Sequence, residues 1–183
     1  LTVQFQTREA EDGYHIEGYF AVFNSIYEIF SGATESIAPG AFSQTLGNDI
    51  RALIDHETRL VLGRNKAGTL TLREDSHGLW GDIRINPNDQ DAMNLYERVR
   101  RGDVDQCSIG FNIIREDFEV REDGSVQWTI LEIDLHEVSV VTFPAYEDTS
   151  ISARKYDLEQ IRKRKRELWQ ESMRKRLKGA ETQ

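Results

Sequence analysis

Between Ile50 and Ile85 the chain carries four short apolar runs, Ile50 to Ile54, Leu60 to Gly63, Thr69 to Leu72 and Leu79 to Ile85, each bounded by charged or turn-forming residues. Runs of this length are strands, because a helix needs roughly ten residues to bury a face. Four strands in about 40 residues leave no room for the dozen or more residues of a parallel crossover, so this region is a meandering sheet or a barrel and not a βαβ fold. Upstream, Tyr14 to Phe23 alternates loosely between apolar and polar residues and is rich in aromatics, the pattern of a half-buried strand. Ala38-Pro39-Gly40-Ala41-Phe42 follows, with Pro39 suited to the first turn of a short helix through Phe42 and Leu46 that Gly47 stops.

The second half pairs one well-signalled helix with long strands. Asn86-Pro87-Asn88-Asp89 is a turn and N-cap cluster; Ala92, Leu95, Tyr96 and Val99 follow at helical spacing, and Gly102 supplies the C-cap. Cys107 to Val120 and Ser125 to Ile133 read as two strands joined at Asp123-Gly124, a hairpin signal. Leu135 to Phe143 reads as a third, ended by Pro144-Ala145-Tyr146. From Asp157 to Lys178 the composition is helical, but the apolar residues make only a narrow stripe, so this helix is expected to pack weakly on the body or to dock on a partner. A domain boundary is expected near Arg154, separating a body of residues 1–154 from a tail of residues 155–183.

Composition narrows the class. With 183 residues and 38% hydrophobic side chains, the chain suffices for one packed domain. Its single cysteine, Cys107, supports neither an internal disulfide framework nor a four-cysteine zinc site, which makes a reducing cytoplasm the expectation. No run of about 18 apolar residues exists and the first residues do not read as a signal peptide, so a soluble chain without a membrane partner is expected. From Arg154 to Gln183, 11 Lys/Arg face 5 Asp/Glu, giving this tail +6 and leaving −15 on the body. A body that acidic does not neutralise phosphates, so any nucleic-acid contact falls to the basic tail.

Acyl-transfer chemistry needs a nucleophile, a base within hydrogen-bond reach and a group that orients the base. Of the four histidines, His15 lies in the aromatic strand and His77 in the turn Asp75-Ser76-His77-Gly78, where a solvated side chain is expected. His56 ends the apolar run Ala52-Leu53-Ile54, flanked by Asp55 and Glu57; by itself this is a strand-end histidine held by carboxylates. Ser108 sits in Cys107-Ser108-Ile109-Gly110-Phe111, where Gly110 lets another group approach closely. Cys107 should face away from whatever Ser108 faces and behave as a small buried apolar residue. No His-Glu-x-x-His occurs, and no metal or cofactor is called for.

Taken in order, these segments form a series. Pro39-Gly40-Ala41-Phe42 precedes Ala52-Leu53-Ile54-Asp55-His56, Leu62-Gly63-Arg64 and Gly68-Thr69-Leu70. Then come Asp75-Ser76-His77-Gly78-Leu79, Arg101-Gly102-Asp103-Val104, Ser108-Ile109-Gly110-Phe111 and Leu135-His136-Glu137-Val138-Ser139-Val140-Val141 before Pro144-Ala145-Tyr146. The ordered set, over roughly residues 10–154, resembles the prohead (capsid maturation) serine proteases of tailed bacteriophages. The resemblance implies a mainly β, α+β fold similar to herpesvirus assemblins: a closed, mostly antiparallel β-barrel with surrounding helices.

It also implies a serine endopeptidase with Ser108 as nucleophile and His56 as base. Laid on the late assemblin strand that carries a second histidine, Glu137 falls at the third position, with Asp134 and His136 as alternatives. Strand alternation puts Glu137 and His136 on opposite faces, so both cannot serve. The assemblins' consecutive arginines beyond that strand are replaced here by Phe143-Pro144-Ala145-Tyr146, leaving oxyanion stabilisation to backbone N–H groups near Pro144 to Tyr146 or to an arginine such as Arg101. The implied role is cleavage of scaffold segments from the major capsid protein, and of the protease itself, inside the assembling procapsid in the host cytoplasm, which would make the segment after Arg154 partly disposable. Dimeric or higher self-association is a further implied partner. The rival reading is a non-enzymatic scaffold or capsid-binding module that acts through its basic tail.

Overall fold

The computed structural model describes residues 5–143, 155–164, 166–170 and 173. Among the described residues, ten strands and one α-helix occupy the body: β1 (Gln6–Ala10), β2 (Gly13–Val22), β3 (Tyr27–Phe30), β4 (Ala33–Ile37), β5 (Arg51–Ile54), β6 (Glu57–Arg64), β7 (Leu70–Glu74), β8 (Gly78–Ile85), α1 (Gln90–Arg101), β9 (Gln106–Val120) and β10 (Val126–Val141). The four strands expected over residues 50–85 are β5 to β8, but they form two hairpins in different sheets, β5 with β6 and β7 with β8, rather than one meander. Helix α1 begins where the sequence signals it: the Asp89 carboxylate accepts from the N–H groups of Asp91 and Ala92, and Gly102 caps the far end.

The strands form two sheets. One has the order β1-β2-β8-β7; the other runs β3-β4-β10-β5-β6, with β9 on the remaining edge of β10. Strand β10 is the spine of the second. Along one edge its first half pairs parallel with β4 and its second half parallel with β5, while β9 lines the opposite edge antiparallel over the full length. All other pairings are antiparallel. The main core lies between the sheets and α1: Ile16, Phe20, Leu79 and Ile83 from the first sheet meet Ile133, Leu135, Val138 and Val140 of β10 and the buried face Ala92, Leu95, Tyr96 and Val99 of α1.

Three further expectations change. Neither sheet closes on itself, so among the described residues the closed barrel is not formed as a continuous ladder. The sheets approach along β2 and β9 and along β6 and β8, but side chains fill the first seam: the Cys107 thiol points at the Phe20 carbonyl, 3.3 Å away, beside a bulge in β2. Residues 39–47 form a chain of turns rather than a helix, because Gly40 takes φ +91°, a left-handed conformation that interrupts helical hydrogen bonding. The two strands expected at Ser125 to Ile133 and Leu135 to Phe143 are one strand, β10. Its buried residues switch parity, from Val126, Trp128 and Ile130 to Ile133 and Leu135 and then to Val138 and Val140, at register shifts after Ile130 and Leu135. Bulges absorb the change of phase that would otherwise break the strand.

Residues 155–164 form a helix, α2, whose Leu158 is buried against Ala33, Val126 and Trp128, with Ile161 and Phe30 packed beside it. Its first turns therefore pack on the body, while Leu168 and Trp169 are exposed. The boundary expected near Arg154 and the oxyanion candidates Pro144 to Tyr146 lie outside the described residues.

Candidate active site

Strand β5 ends at Ile54 and β6 begins at Glu57, so Asp55 and His56 are the whole of the connecting turn. Both have positive φ, +45° and +60°. A two-residue hairpin needs that backbone to match the strand twist and ordinarily recruits Asn-Gly or Asp-Gly. An imidazole at the second position is held against local preference, at about 1–3 kcal/mol for a non-glycine residue in a sparsely populated region, and such strain concentrates at functional sites. The turn is tied to β10: Asp55 N–H donates to the Val140 carbonyl (3.1 Å), Thr142 N–H donates to the Asp55 carboxylate (2.8 Å) and His56 N–H donates to Ser139 Oγ (3.2 Å).

This docking lays the imidazole along the outer face of β10, where Nδ1 meets Glu137 Oε1 at 2.6 Å. The Glu137 side chain is only 14% exposed, against 36% for His56, so the bond has its acidic end sheltered and its ring open to solvent. A carboxylate oxygen accepts, hence Nδ1 donates, and neutral imidazole then carries its free lone pair on Nε2. That is the arrangement of an oriented base.

The bulge after Leu135 decides which neighbour of Glu137 takes part. His136 is the extra residue in the ladder and is exposed, while Glu137 and Ser139 point to the outer face and Val138 and Val140 to the core. Asp134 is engaged elsewhere, accepting from Asn48 Nδ2 at 2.9 Å and Thr45 Oγ1 at 3.4 Å. Of the three acidic or basic candidates on this strand, only Glu137 contacts His56 among the described residues.

Ser108 comes to the same face by register. On β9 it stands directly opposite Ser139, and Gly110 stands opposite Glu137. Directly opposed residues share a face with Cβ atoms about 4.5–5.5 Å apart, so Ser108 neighbours the serine that holds the His56 backbone. No Ser108–His56 hydrogen bond is formed among the described residues; resting sites of this kind often tighten only around substrate. Gly110 makes room for the acid: a Cβ there would lie 3.0 and 3.1 Å from Glu137 Cγ and Cδ, and closer still to Oε1.

Cys107, one residue before Ser108, points the other way, into the core beside Val140. Burial pushes its thiol up to about 12. A thiol needs its thiolate to react, so at pH 8 Cys107 is expected to react with iodoacetamide about 10³-fold more slowly in the native protein than in urea. Alkylation at the unfolded rate, followed by mass spectrometry, would show the thiol to be accessible.

The remaining candidates have structural settings. His15 is buried, with Nδ1 2.8 Å from Asp82 and Nε2 3.2 Å from Asp12. His77 is exposed and packs edge-on against Tyr19. Arg101 pairs with Asp103 at 3.3 Å on the surface. Among the described residues no group of three His, Cys, Asp or Glu side chains converges as a metal-binding set. Sequence reasoning missed the role of Ser139; its only signal was a hydroxyl set within the valine run Val138-Ser139-Val140-Val141.

Residues 2–164 match the caudovirus prohead serine protease family. Over 143 residues the chain is 32% identical to the prohead protease of Enterobacteria phage HK97, an alignment covering 76% of this chain and 59% of that protein. The chain thus spans under two thirds of its relative's length. No solved structure matches it. With the match running across both sheets, from β1 through β10 into α2, the chain belongs to the caudovirus prohead serine protease family.

Proposed function

We propose that this chain is the serine endopeptidase of procapsid maturation, with Ser108 as nucleophile, His56 as general base and Glu137 as the residue that orients His56. The observation that carries the reading is the 2.6 Å contact between His56 Nδ1 and Glu137, held on the strand face that Ser108 shares. Ser108 Oγ attacks the scissile carbonyl as His56 Nε2 takes its proton; the imidazolium so formed is stabilised by Glu137 and returns the proton to the leaving amine. Water then repeats the sequence on the acyl-enzyme. The substrates are the scaffold segment of the major capsid protein and a segment of the protease itself, inside the assembling shell. Because Leu158 and Ile161 pack on the body, any removable tail begins beyond them.

A fluorophosphonate probe tests the chemistry without a known substrate. One covalent adduct, mapped to Ser108 by mass spectrometry, is expected. Co-expression with the major capsid precursor should yield a shortened capsid protein with the wild-type chain and uncut precursor with Ser108→Ala. An adduct at another residue, or precursor processed equally by Ser108→Ala, would refute the assignment; no adduct together with stoichiometric retention in shells would favour an assembly module.

A further inference from the structure

Ser139 has no exposed surface and stands in a valine-rich stretch, where a hydroxyl costs free energy unless its hydrogen bonds are made. Both are made, and both lead to the site. Its Oγ donates to Glu137 Oε2 at 2.6 Å and accepts from His56 N–H at 3.2 Å. With His56 Nδ1 on Glu137 Oε1, the three bonds close a ring: His56 backbone to Ser139, Ser139 to Glu137, Glu137 to the imidazole. We infer that Ser139 is a positioning residue of the protease, fixing the Glu137 carboxylate and the His56 turn at once, so that the acid presents Oε1 to the ring. The inference rests on the assignment of His56 and Glu137 above and adds a fourth member to it.

The physical case is one of freedom removed. A glutamate carboxylate turns readily about its last torsion, and one hydrogen bond to a ring does not fix it. Engaging its second oxygen does. The Ser139 acceptor also satisfies the N–H of a residue held at positive φ, which locks the turn that carries the base. Since Ser139 lies opposite Ser108 in register, the acid, the turn and the nucleophile are referenced to one pair of strands.

The test follows the second-order rate of Ser108 labelling by a fluorophosphonate in Ser139→Ala, Glu137→Gln and the double variant, with the downfield proton spectrum of the His56 ring N–H. A hydrogen bond to a charged group predicts a slowing of about 10- to 100-fold for Ser139→Ala. The double variant should lose less than the product of the two single losses, because part of what Ser139 does passes through the acid and part through the His56 N–H, and the His56 Nδ1–H resonance should shift upfield or broaden away. Ser139→Cys, which keeps the shape with a poorer donor, should fall between. Wild-type labelling and an unmoved resonance in Ser139→Ala, with Glu137→Gln slow, overturn the role of Ser139 alone, as do losses that multiply in the double variant. Wild-type labelling in Glu137→Gln overturns the acid assignment, and the inference with it.

Discussion

Replacing His56 with asparagine is expected to slow acylation of Ser108 by roughly 10⁴–10⁶-fold without lowering the melting temperature. The loss follows from removing the group proposed above as the base for Ser108. The retained stability follows from the backbone: His56 sits at φ +60° in a two-residue turn, where asparagine is the better resident. Its N–H remains to donate to Ser139 Oγ. The two measurements together separate function from folding. A His56→Asn protein that melts several degrees lower would indicate that the ring's bond to Glu137, rather than chemistry, is why a histidine occupies the turn. Undiminished labelling would remove His56 from the mechanism.

Much of this was legible because local signals agreed with tertiary demands. Asp89 and Gly102 bound α1 as their capping chemistry requires, and the four strands between Ile50 and Ile85 follow from short apolar runs that only strands can use, although their division between two sheets does not. Strands β1, β3 and β4 were not anticipated: Gln6–Ala10, Tyr27–Phe30 and Ala33–Ile37 are only four or five residues long, too short to show a period, and they are strands because β2, β4 and β10 respectively offer β1, β3 and β4 an edge. The continuity of β10 was hidden for a different reason. Two bulges change which residues face the core, and a periodicity argument reads each change of phase as a break. That same irregularity frees Glu137 from the alternation that a regular strand would impose, and so bears on the site itself. His56 and Ser108 were visible as candidates through their motifs. Ser139 was not, since a buried serine has meaning only once its partners are in place.

Gly110→Ala isolates the acid from the rest of the site. Gly110 lies in β9 without the left-handed φ that would make alanine strained, and alanine loses less backbone entropy on folding, so this gain offsets part of the hydrogen bonding lost at Glu137 and the protein is expected to stay folded. Its new methyl, however, would meet Glu137 at the carboxylate and at Cγ and Cδ, 3.0 and 3.1 Å away. Main chain on both strands is fixed by the ladder, so the flexible end of the glutamate must give way. Moving it breaks the bond to His56 Nδ1 and the bond from Ser139 together. Labelling of Ser108 is therefore expected to slow by about 10²–10⁴-fold, approaching the effect of Glu137→Gln, because an unoriented imidazole loses the contribution that the acid makes to a triad. Adding Glu137→Gln to Gly110→Ala should then change little, since the carboxylate is already displaced. A folded Gly110→Ala protein that labels at the wild-type rate would mean that Glu137 does not orient the base, and that its contact with His56 serves only to hold the turn on the sheet.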